Sequence, residues 1–190
     1  DSIVINAGDG THEHPTQAIL DMTSLHEKFG YLKGLKVGII GDIAHSRVAL
    51  SNIHGLKTMG AEVTLCGPST LIPPFAEELG VSVNYNVDEV IEWADALNVL
   101  RIQRERMGGG LLPSVREYRN LFGITTDRLS MHKKEIAIMP RGPMNRGVEI
   151  DSSVADSDQA IILDQVLNGV ASRMAILYLL LGGKQEEGDS

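Results

Sequence analysis

Short apolar runs alternate with amphipathic segments along most of this chain, and this alternation constrains the fold more than any other feature. Such a run suits a strand that is buried on both faces, and the segments between the runs have helical spacing and length. Strands are predicted at 36–41, 62–66, 82–85, 96–100 and 135–139, and helices at 15–29, 46–59, 73–79, 87–94 and 157–181. The pattern predicts an α/β domain of three layers, in which a central parallel sheet of about five strands is flanked by helices.

The charge balance limits the partners that the chain can have. Its 190 residues, enough for one domain, carry 17 basic and 25 acidic side chains, a formal charge of −8 that argues against nucleic acid or an anionic membrane. No run approaches the roughly 18 apolar residues of a membrane span. The single Cys66 cannot form an internal disulfide and favours a reducing cytoplasm. An anionic ligand therefore requires a local cluster of arginines.

The first candidate site lies at the start of the first predicted helix. Pro15 suits the first helical turn, and His14 and Gln17, three residues apart, project from the same end of the helix. Both can donate hydrogen bonds to a carbonyl or anionic oxygen there, because the helix dipole is positive at that end. Alternatively, His14 only caps the helix and Gln17 is solvated. A metal site that includes His12 is disfavoured, because no other His or Cys has a matching spacing.

The second candidate site follows the strand predicted at 36–41. The glycine spacing of a dinucleotide-binding turn is absent, and the carboxylate of Asp42, directly after Gly41, would repel a pyrophosphate. Arg47 instead stands at the start of the next helix, above the carboxyl end of a parallel strand, where open α/β sheets bind ligands. The alternative interpretation of Arg47 is an ion pair with a surface carboxylate.

The third candidate site follows the strand predicted at 96–100. Arg101 and Gln103 face the same way in an extended segment. An arginine fork suits the recognition of a carboxylate by two hydrogen bonds, and a neighbouring glutamine can hold an amine or the second oxygen. A solvated charged loop is the alternative interpretation.

Two connecting segments, one predicted to be flexible and one predicted to be rigid, complete the set of candidates. Three consecutive glycines predict a mobile loop over 104–113. Gly142 and Pro143 belong to a turn with two prolines and two glycines, which suits the rigid exposure of a backbone carbonyl.

Five motifs follow one another in a specific order. They are Asn6-Ala-Gly-Asp-Gly10, His14-Pro-Thr-Gln17, Gly41-Asp42 with His45-Ser-Arg47, Arg101-Ile-Gln-Arg-Glu-Arg106 and Gly142-Pro-Met-Asn-Arg-Gly147. In order and spacing they resemble the second, aspartate-binding domain of the aspartate transcarbamoylase catalytic subunit, over nearly the whole chain. Several motifs in order are far more specific than any one of them. The sister family, ornithine transcarbamoylase, usually has cysteine at the position of Thr16 and another near Gly142, so the sequence favours aspartate.

The resemblance implies an aspartate carbamoyltransferase of pyrimidine biosynthesis. Such an enzyme transfers the carbamoyl group of carbamoyl phosphate to L-aspartate, with no cofactor, metal or covalent enzyme intermediate. By the same resemblance, His14 would hydrogen-bond the carbonyl oxygen of carbamoyl phosphate and Gln17 its amino group. The backbone at Gly142 and Pro143 would accept hydrogen bonds from the same amino group.

The resemblance also implies how aspartate is held. Arg47 and Arg101 would bind its two carboxylates, helped by Gln103, so that the neutral amine lies on the carbamoyl carbon. The loop at 104–113 would close over aspartate. Converging arginines fit a dianionic substrate on a chain whose formal charge is −8.

The chain departs from the family pattern in two places. The family commonly has His-Pro where this chain has Pro140-Arg141. The Ser-Thr-Arg-Thr loop that grips the phosphate, which the family carries in a preceding domain, is absent. The chain, which starts without methionine, is therefore expected to be a fragment that is inactive alone. Helices within 1–29 and 165–181 would bridge to the missing domain, and 182–190 would form a flexible tail.

The resemblance further implies a homotrimer in the intact enzyme, with a regulatory or dihydroorotase subunit as a further partner. Two other interpretations stay open. One is a non-catalytic homologue that serves as an assembly partner, which Pro140-Arg141 allows. The other is a nucleotide-binding α/β module, against which His14 with Gln17 and Arg101 with Gln103 argue jointly.

Overall fold

The computed structural model describes residues 3–8, 13–102, 114–132, 135–140 and 143–182, and the side chains of 162–164 lie outside this description. The described elements are, in chain order, α1 (Pro15–Phe29), β1 (Lys36–Ile40), α2 (Arg47–Thr58), β2 (Glu62–Cys66), β3 (Ser82–Val83), α3 (Val87–Trp93), β4 (Ala96–Val99), α4 (Val115–Phe122), α5 (Thr126–Met131), β5 (Ala137–Pro140), α6 (Ser152–Ala155) and α7 (Ile162–Leu181). Short 3-10 turns lie at Ser69–Leu71 and Ala76–Leu79.

The five strands form one parallel sheet in the order β3-β2-β1-β4-β5. Ile39 of β1 pairs with Leu65 of β2 on one side and with Asn98 of β4 on the other. Connections run outward in both directions from β1, so the topological switch point lies between β1 and β4, where open α/β sheets bind ligands. The predicted parallel sheet of five strands is confirmed.

Helices cover both faces of this sheet, as the near-continuous apolar strands require. On one face, Leu25 of α1 and Ile53 of α2 pack with Ile39. On the other face, Val90 of α3 and Tyr118 of α4 belong to a second buried cluster. The predicted arrangement of three layers is therefore confirmed, and α7 lies against α1 in the first helical layer.

Several predicted boundaries differ from those of the structure. The strand predicted at 82–85 has only two residues, because the Asn84 side chain accepts a hydrogen bond from the Asn86 amide and turns the chain into α3. The helix predicted at 73–79 is reduced to the 3-10 turn Ala76–Leu79, since two prolines precede it and proline removes backbone donors.

The last predicted helix, 157–181, begins later than expected. The chain before it runs beside β5, where the Ile161 amide donates to the Ile138 carbonyl and Ala160 forms a parallel bridge with Ile138. These contacts hold the segment extended, so α7 starts at Ile162 and the short α6 precedes it separately.

Three described helices, the single-turn α6 and the longer α4 and α5, were not predicted, and α4 and α5 have clear capping residues. Each has a hydroxyl at its N-cap: Ser114 accepts from the Glu117 amide at 3.1 Å, and Thr125 accepts from the Arg128 amide at 3.2 Å. Both helices are short, so their apolar periodicity covers too few turns to predict them from the pattern alone.

Much of the α7 surface is exposed although it is apolar. Val166, Leu167 and Val170 are each more than 60% exposed, and Leu179 near the helix end is 70% exposed. Within the described residues, no helix is both long and apolar enough to cross a membrane. Of the tail predicted at 182–190, only Gly182 belongs to the described part of the chain.

Candidate active site

Two of the predicted arginines leave adjacent strands at the switch point. Arg47 opens α2, which follows β1, and Arg101 comes directly after the exit of β4. The Leu100 amide donates to the Ile40 carbonyl at 2.8 Å, so the two strand ends are joined. Both arginine side chains are half-buried. The fold therefore brings to one edge of the sheet two cations that lie far apart in the sequence.

A glycine makes this convergence possible. Gly41 has a φ of +127°, and a Cβ there would lie 3.0 Å from the Leu100 carbonyl oxygen. A side chain at this position would push the turn after β1 away from the exit of β4. Gly41 thus sets the close approach of the two ends from which Arg47 and Arg101 extend.

The turn between β1 and α2 is fixed by a buried carboxylate. Asp42 is only 5% exposed, and it accepts hydrogen bonds from the backbone amide of His45 and from its ring Nδ1, the latter at 2.7 Å. Ser46 then caps α2 by accepting from the Ala49 amide at 3.2 Å. Asp42, whose charge argued against a pyrophosphate, therefore helps to fix the start of the helix that carries Arg47.

The N-terminal segment reaches the same arginine. Gly8 has a φ of +130°, and a Cβ there would lie 3.2 Å from Nη1 of Arg47. The Gly8 amide donates to the Asn6 side-chain oxygen at 2.8 Å, which shapes this turn. Within the described part of the first motif, Gly8 is thereby placed against the Arg47 guanidinium.

His14 is the N-cap residue of α1: its backbone carbonyl accepts from the Gln17 and Ala18 amides, whereas its side chain makes no capping hydrogen bond. Its backbone amide donates to Ser51 Oγ at 2.9 Å, and the Ser51 hydroxyl donates to the Glu13 carboxylate. Ser51 lies one helical turn after Arg47, so His14 is tied to the helix that carries this arginine. Ser51 was missed from the sequence, because it lies 37 residues from His14.

The His14 ring contacts a neighbour on its own helix. Thr16 Oγ1 lies 3.4 Å from His14 Nδ1. When the hydroxyl donates in this contact, the neutral imidazole carries its proton on Nε2. The ring is then an N–H donor, as the polarisation of a carbonyl oxygen requires.

Gln17 is held by the fold through a side-chain hydrogen bond and is not fully solvated. It is half-buried, and its Nε2 donates to Asp21 Oδ1 at 3.0 Å. Asp21 is 2% exposed and also accepts from Asn52 of α2 at 2.7 Å and from Gln165 of α7 at 3.0 Å. The spacing of four residues between Gln17 and Asp21 was an available signal, whereas the partners on other helices were not.

The exit of β4 is tied to the turn that follows β5. Glu149 is 1% exposed, and its carboxylate accepts from the Ile102 amide at 2.7 Å and from the backbone and side-chain nitrogens of Asn145. Asn145 also donates to the Ile102 carbonyl at 2.8 Å. Because Ile102 follows Arg101 directly, Glu149 fixes the backbone from which this arginine extends. Glu149 was not predicted as a site residue, and Asn145 was named only as a member of the motif at 142–147.

Of the remaining predicted site residues, only Pro143 belongs to the described part of the chain. Pro143 is exposed at the start of the turn that contains Asn145. Gln103, Gly142 and the predicted loop at 104–113 lie outside the described residues. Within the described part of the chain, no group of three or more His, Cys, Asp or Glu side chains could hold a metal ion.

The sequence matches the model of a known protein family over most of its length. Residues 33–180 match the model of the aspartate/ornithine carbamoyltransferase Asp/Orn-binding domain. The chain belongs to this family. The aspartate carbamoyltransferase catalytic subunit of Gemmatimonas aurantiaca is 58% identical over 190 residues, which are 100% of this chain and 60% of the relative. That of Christiangramia forsetii is 60% identical over 180 residues, which are 95% of this chain and 58% of the relative.

Solved structures of carbamoyltransferases share the fold. The aspartate transcarbamoylase of Trypanosoma cruzi, in complex with carbamoyl phosphate, is 28% identical with a TM-score of 0.79, over 90% of this chain and 57% of that one. The catalytic subunit of the M. jannaschii enzyme is 30% identical with a TM-score of 0.77, over 95% and 60% of the two chains. The chain spans about 60% of the length of the curated relatives that it matches.

Proposed function

We propose that this chain supplies the aspartate-binding half of an aspartate carbamoyltransferase of pyrimidine biosynthesis. The reaction transfers the carbamoyl group of carbamoyl phosphate to L-aspartate and yields N-carbamoyl-L-aspartate and phosphate. The observation that carries this proposal is the delivery of Arg47 and Arg101 from neighbouring strands at the switch point, beside the helix start with His14. The high identity to curated aspartate carbamoyltransferases supports it.

In the proposed mechanism, the two arginines bind the two carboxylates of aspartate and so place its neutral amine. The nitrogen lone pair attacks the carbamoyl carbon, a C–N bond forms, and the bond between that carbon and the phosphate oxygen breaks. Phosphate leaves with this electron pair and takes up the proton that the amine nitrogen loses. His14 donates a hydrogen bond to the carbonyl oxygen, whose negative charge rises in the transition state. Gln17, with the backbone carbonyls at Gly142 and Pro143, accepts from the carbamoyl amine. Gln103 assists Arg101.

Aspartate is favoured over ornithine as the acceptor. The family includes enzymes for both, and the ornithine carbamoyltransferase of Pyrococcus furiosus has a TM-score of 0.74 at 26% identity. Ornithine carries a cationic side chain, which would be repelled by a second arginine where aspartate has its second carboxylate. The pair Arg47 and Arg101 therefore supports a dicarboxylate.

We further propose that the exposed apolar surface of α7 packs against a part that corresponds to the region of the relatives outside the match to this chain. This part would also carry the phosphate-binding loop, so the chain alone is expected to be inactive. Val166, Leu167 and Val170 support this, since a surface of that kind normally contacts another protein surface. The homotrimer, a regulatory or dihydroorotase subunit and a cytoplasmic location stay predictions from the family resemblance.

The proposal is tested with a fusion enzyme, in which the part of the Gemmatimonas aurantiaca relative that this chain does not cover is joined to this chain. We expect the fusion enzyme to form carbamoyl aspartate, and the 190-residue chain by itself to form none. Ornithine in place of aspartate should give no product. Absence of carbamoyl aspartate from a folded fusion enzyme would contradict the proposed function.

A further inference from the structure

The polar contact between Gln17 and Asp21 lies beside the proposed carbamoyl site and has a defined direction. A primary amide has a donor end and an acceptor end, whereas an ionised carboxylate only accepts. Since Gln17 Nε2 donates to Asp21 Oδ1 at 3.0 Å, the nitrogen of this amide faces inward. The other branch, the oxygen Oε1, is then the end that is presented to a ligand.

The same carboxylate sets the direction of two more amides. Asn52 donates through Nδ2 to Asp21 Oδ2 at 2.7 Å, and Gln165 donates through Nε2 to Asp21 Oδ1 at 3.0 Å. The Asn52 oxygen is buried without a hydrogen-bond partner among the described residues. A buried acceptor without a partner is unfavourable. The hydrogen bond from the Asn52 nitrogen to the carboxylate therefore sets the orientation of this amide despite the cost at its oxygen.

Both ends of the contact are also constrained in position. Gln17 and Asp21 are one turn apart on α1, where side chains four residues apart are neighbours. Asp21 is 2% exposed and is surrounded by α2 and α7, which each contribute one of its donors. Water therefore competes little for the Asp21 oxygens. The Gln17 amide keeps one orientation, because its nitrogen has a fixed acceptor.

We propose that Asp21 is a positioning residue for the carbamoyl site: it holds the Gln17 amide so that the oxygen, and not the nitrogen, meets the N–H donors of the ligand. This inference rests on the proposed function, in which Gln17 contacts the carbamoyl amine. Without Asp21, the amide can turn over and present its nitrogen, and two N–H groups then face each other. The consequence is a specific loss of recognition of the amine.

The experiment uses two ligands in the fusion enzyme. Carbamoyl phosphate carries an amine on its carbonyl carbon, whereas acetyl phosphate carries a methyl group there and cannot donate. The measured quantity is the preference, which is the inhibition constant of acetyl phosphate divided by the KM of carbamoyl phosphate. Asp21→Leu, which removes both acceptor oxygens at a similar side-chain size, should lower the preference about fivefold, the effect of one neutral hydrogen bond, mostly through the KM of carbamoyl phosphate. A merely structural defect would weaken both ligands equally and leave the preference unchanged.

Two further variants separate the inference from the proposed function. Gln17→Ala should lose the preference to the same extent, and Asp21→Leu should add no further loss in the Gln17→Ala background. If Gln17→Ala loses the preference while Asp21→Leu keeps it, the positioning role of Asp21 is refuted and the role of Gln17 stands. If Gln17→Ala keeps the preference, the proposed contact of Gln17 with the amine is refuted, and the inference with it.

A charge-swapped variant guards against a failure to fold. In Asp21→Asn with Asn52→Asp, the buried pair between α1 and α2 keeps one amide and one carboxylate, so the packing and the total charge are preserved. The amide placed at position 21 donates to the carboxylate placed at position 52, and its oxygen still accepts from Gln17 Nε2. We expect a folded enzyme that keeps the preference, and a lost preference in this variant would overturn the proposal.

Discussion

At the scale of single residues, the charge of the proposed aspartate site is concentrated in Arg47 and Arg101. The chain is acidic as a whole, with a formal charge of −8, so the affinity for a dianion has to come from local contacts. Arg47 opens the helix that follows β1 and Arg101 follows β4, and the ends of these two strands are tied together by the hydrogen bond between Leu100 and Ile40. Their positions therefore depend on backbone geometry as much as on the side chains.

Replacement of Arg101 by alanine should lower kcat/KM for aspartate in the fusion enzyme by about 100-fold, roughly 3 kcal/mol, because a charge-assisted contact is lost and a carboxylate is left without its partner. Steady-state kinetics with varied aspartate measure this. The matched control is Lys57→Ala, which removes an exposed cation from the end of α2 and should leave kcat/KM unchanged. A loss under tenfold would remove Arg101 from the site.

Gly8→Ala should raise the KM for aspartate about tenfold, because strain at a left-handed position and displacement of a catalytic contact each cost on the order of 1 to 3 kcal/mol. A Cβ at Gly8 lies 3.2 Å from Arg47 Nη1, and the φ of +130° disfavours any side chain. The control Gly60→Ala has a similar strain, with a φ of +81°, but approaches only the flexible Lys33. It should lower the free energy of unfolding without changing the KM.

The residues that could be predicted from the sequence are those whose role follows from local context. Arg47 and Arg101 were found because they follow apolar runs, and His14 and Gln17 because they open a helix. Asp21 and Glu149 were missed, since their defining contacts join residues up to 144 positions apart. A buried carboxylate has the same appearance in a sequence as a solvated one, and only the folded chain distinguishes the two.

At the scale of elements, the strand pattern predicted the sheet, whereas the connections that hold the site could not be predicted. The five apolar runs indicated the parallel sheet, because strands buried on both faces need continuous apolar residues. The prolines and glycines after β5 predict a turn, but no sequence pattern indicates where this turn lies relative to β4. Its position is set by Glu149, which joins it to the exit of β4 through the Ile102 amide.

Glu149→Gln should therefore affect stability and binding together. The carboxylate accepts from three N–H groups, and an amide in its place directs an NH2 group at one of these donors. We expect the free energy of unfolding to fall by about 2 kcal/mol, the cost of a buried polar group without its partner, and the KM for aspartate to rise. Urea denaturation and kinetics measure the two effects. The exposed Glu77→Gln should change neither, and an unaltered Glu149→Gln variant would show that this connection has little influence.

At the scale of the whole molecule, two ionisable groups in the buried core should make the free energy of unfolding fall at alkaline pH. Burial raises the pKa of the Cys66 thiol to about 12. Burial also raises the pKa of the Tyr118 hydroxyl above its usual range, with a further contribution from the charge of Glu149. Both groups keep their protons in the folded state at a pH where the unfolded chain releases them.

The free energy of unfolding should accordingly be constant with respect to these two groups below about pH 8.5 and fall as the pH rises towards 12, because only the unfolded state ionises in that range. Urea denaturation at several pH values measures the slope. Cys66→Ala and Tyr118→Phe should each flatten it, while the exposed Tyr85→Phe should not. Equal slopes in all four proteins would mean that the buried groups do not contribute.

The hydrogen bond between Gln165 and Asp21 also has a consequence for the order of folding. It joins positions 144 residues apart, and the whole parallel sheet lies between them in the sequence. Contacts of such long range form late, since the loop between their ends must first be ordered. The sheet can thus assemble while the amide contacts around Asp21 are still incomplete. During synthesis, the proposed carbamoyl site would gain its final geometry only after α7 has left the ribosome, although α1, which carries Gln17, is made long before α7.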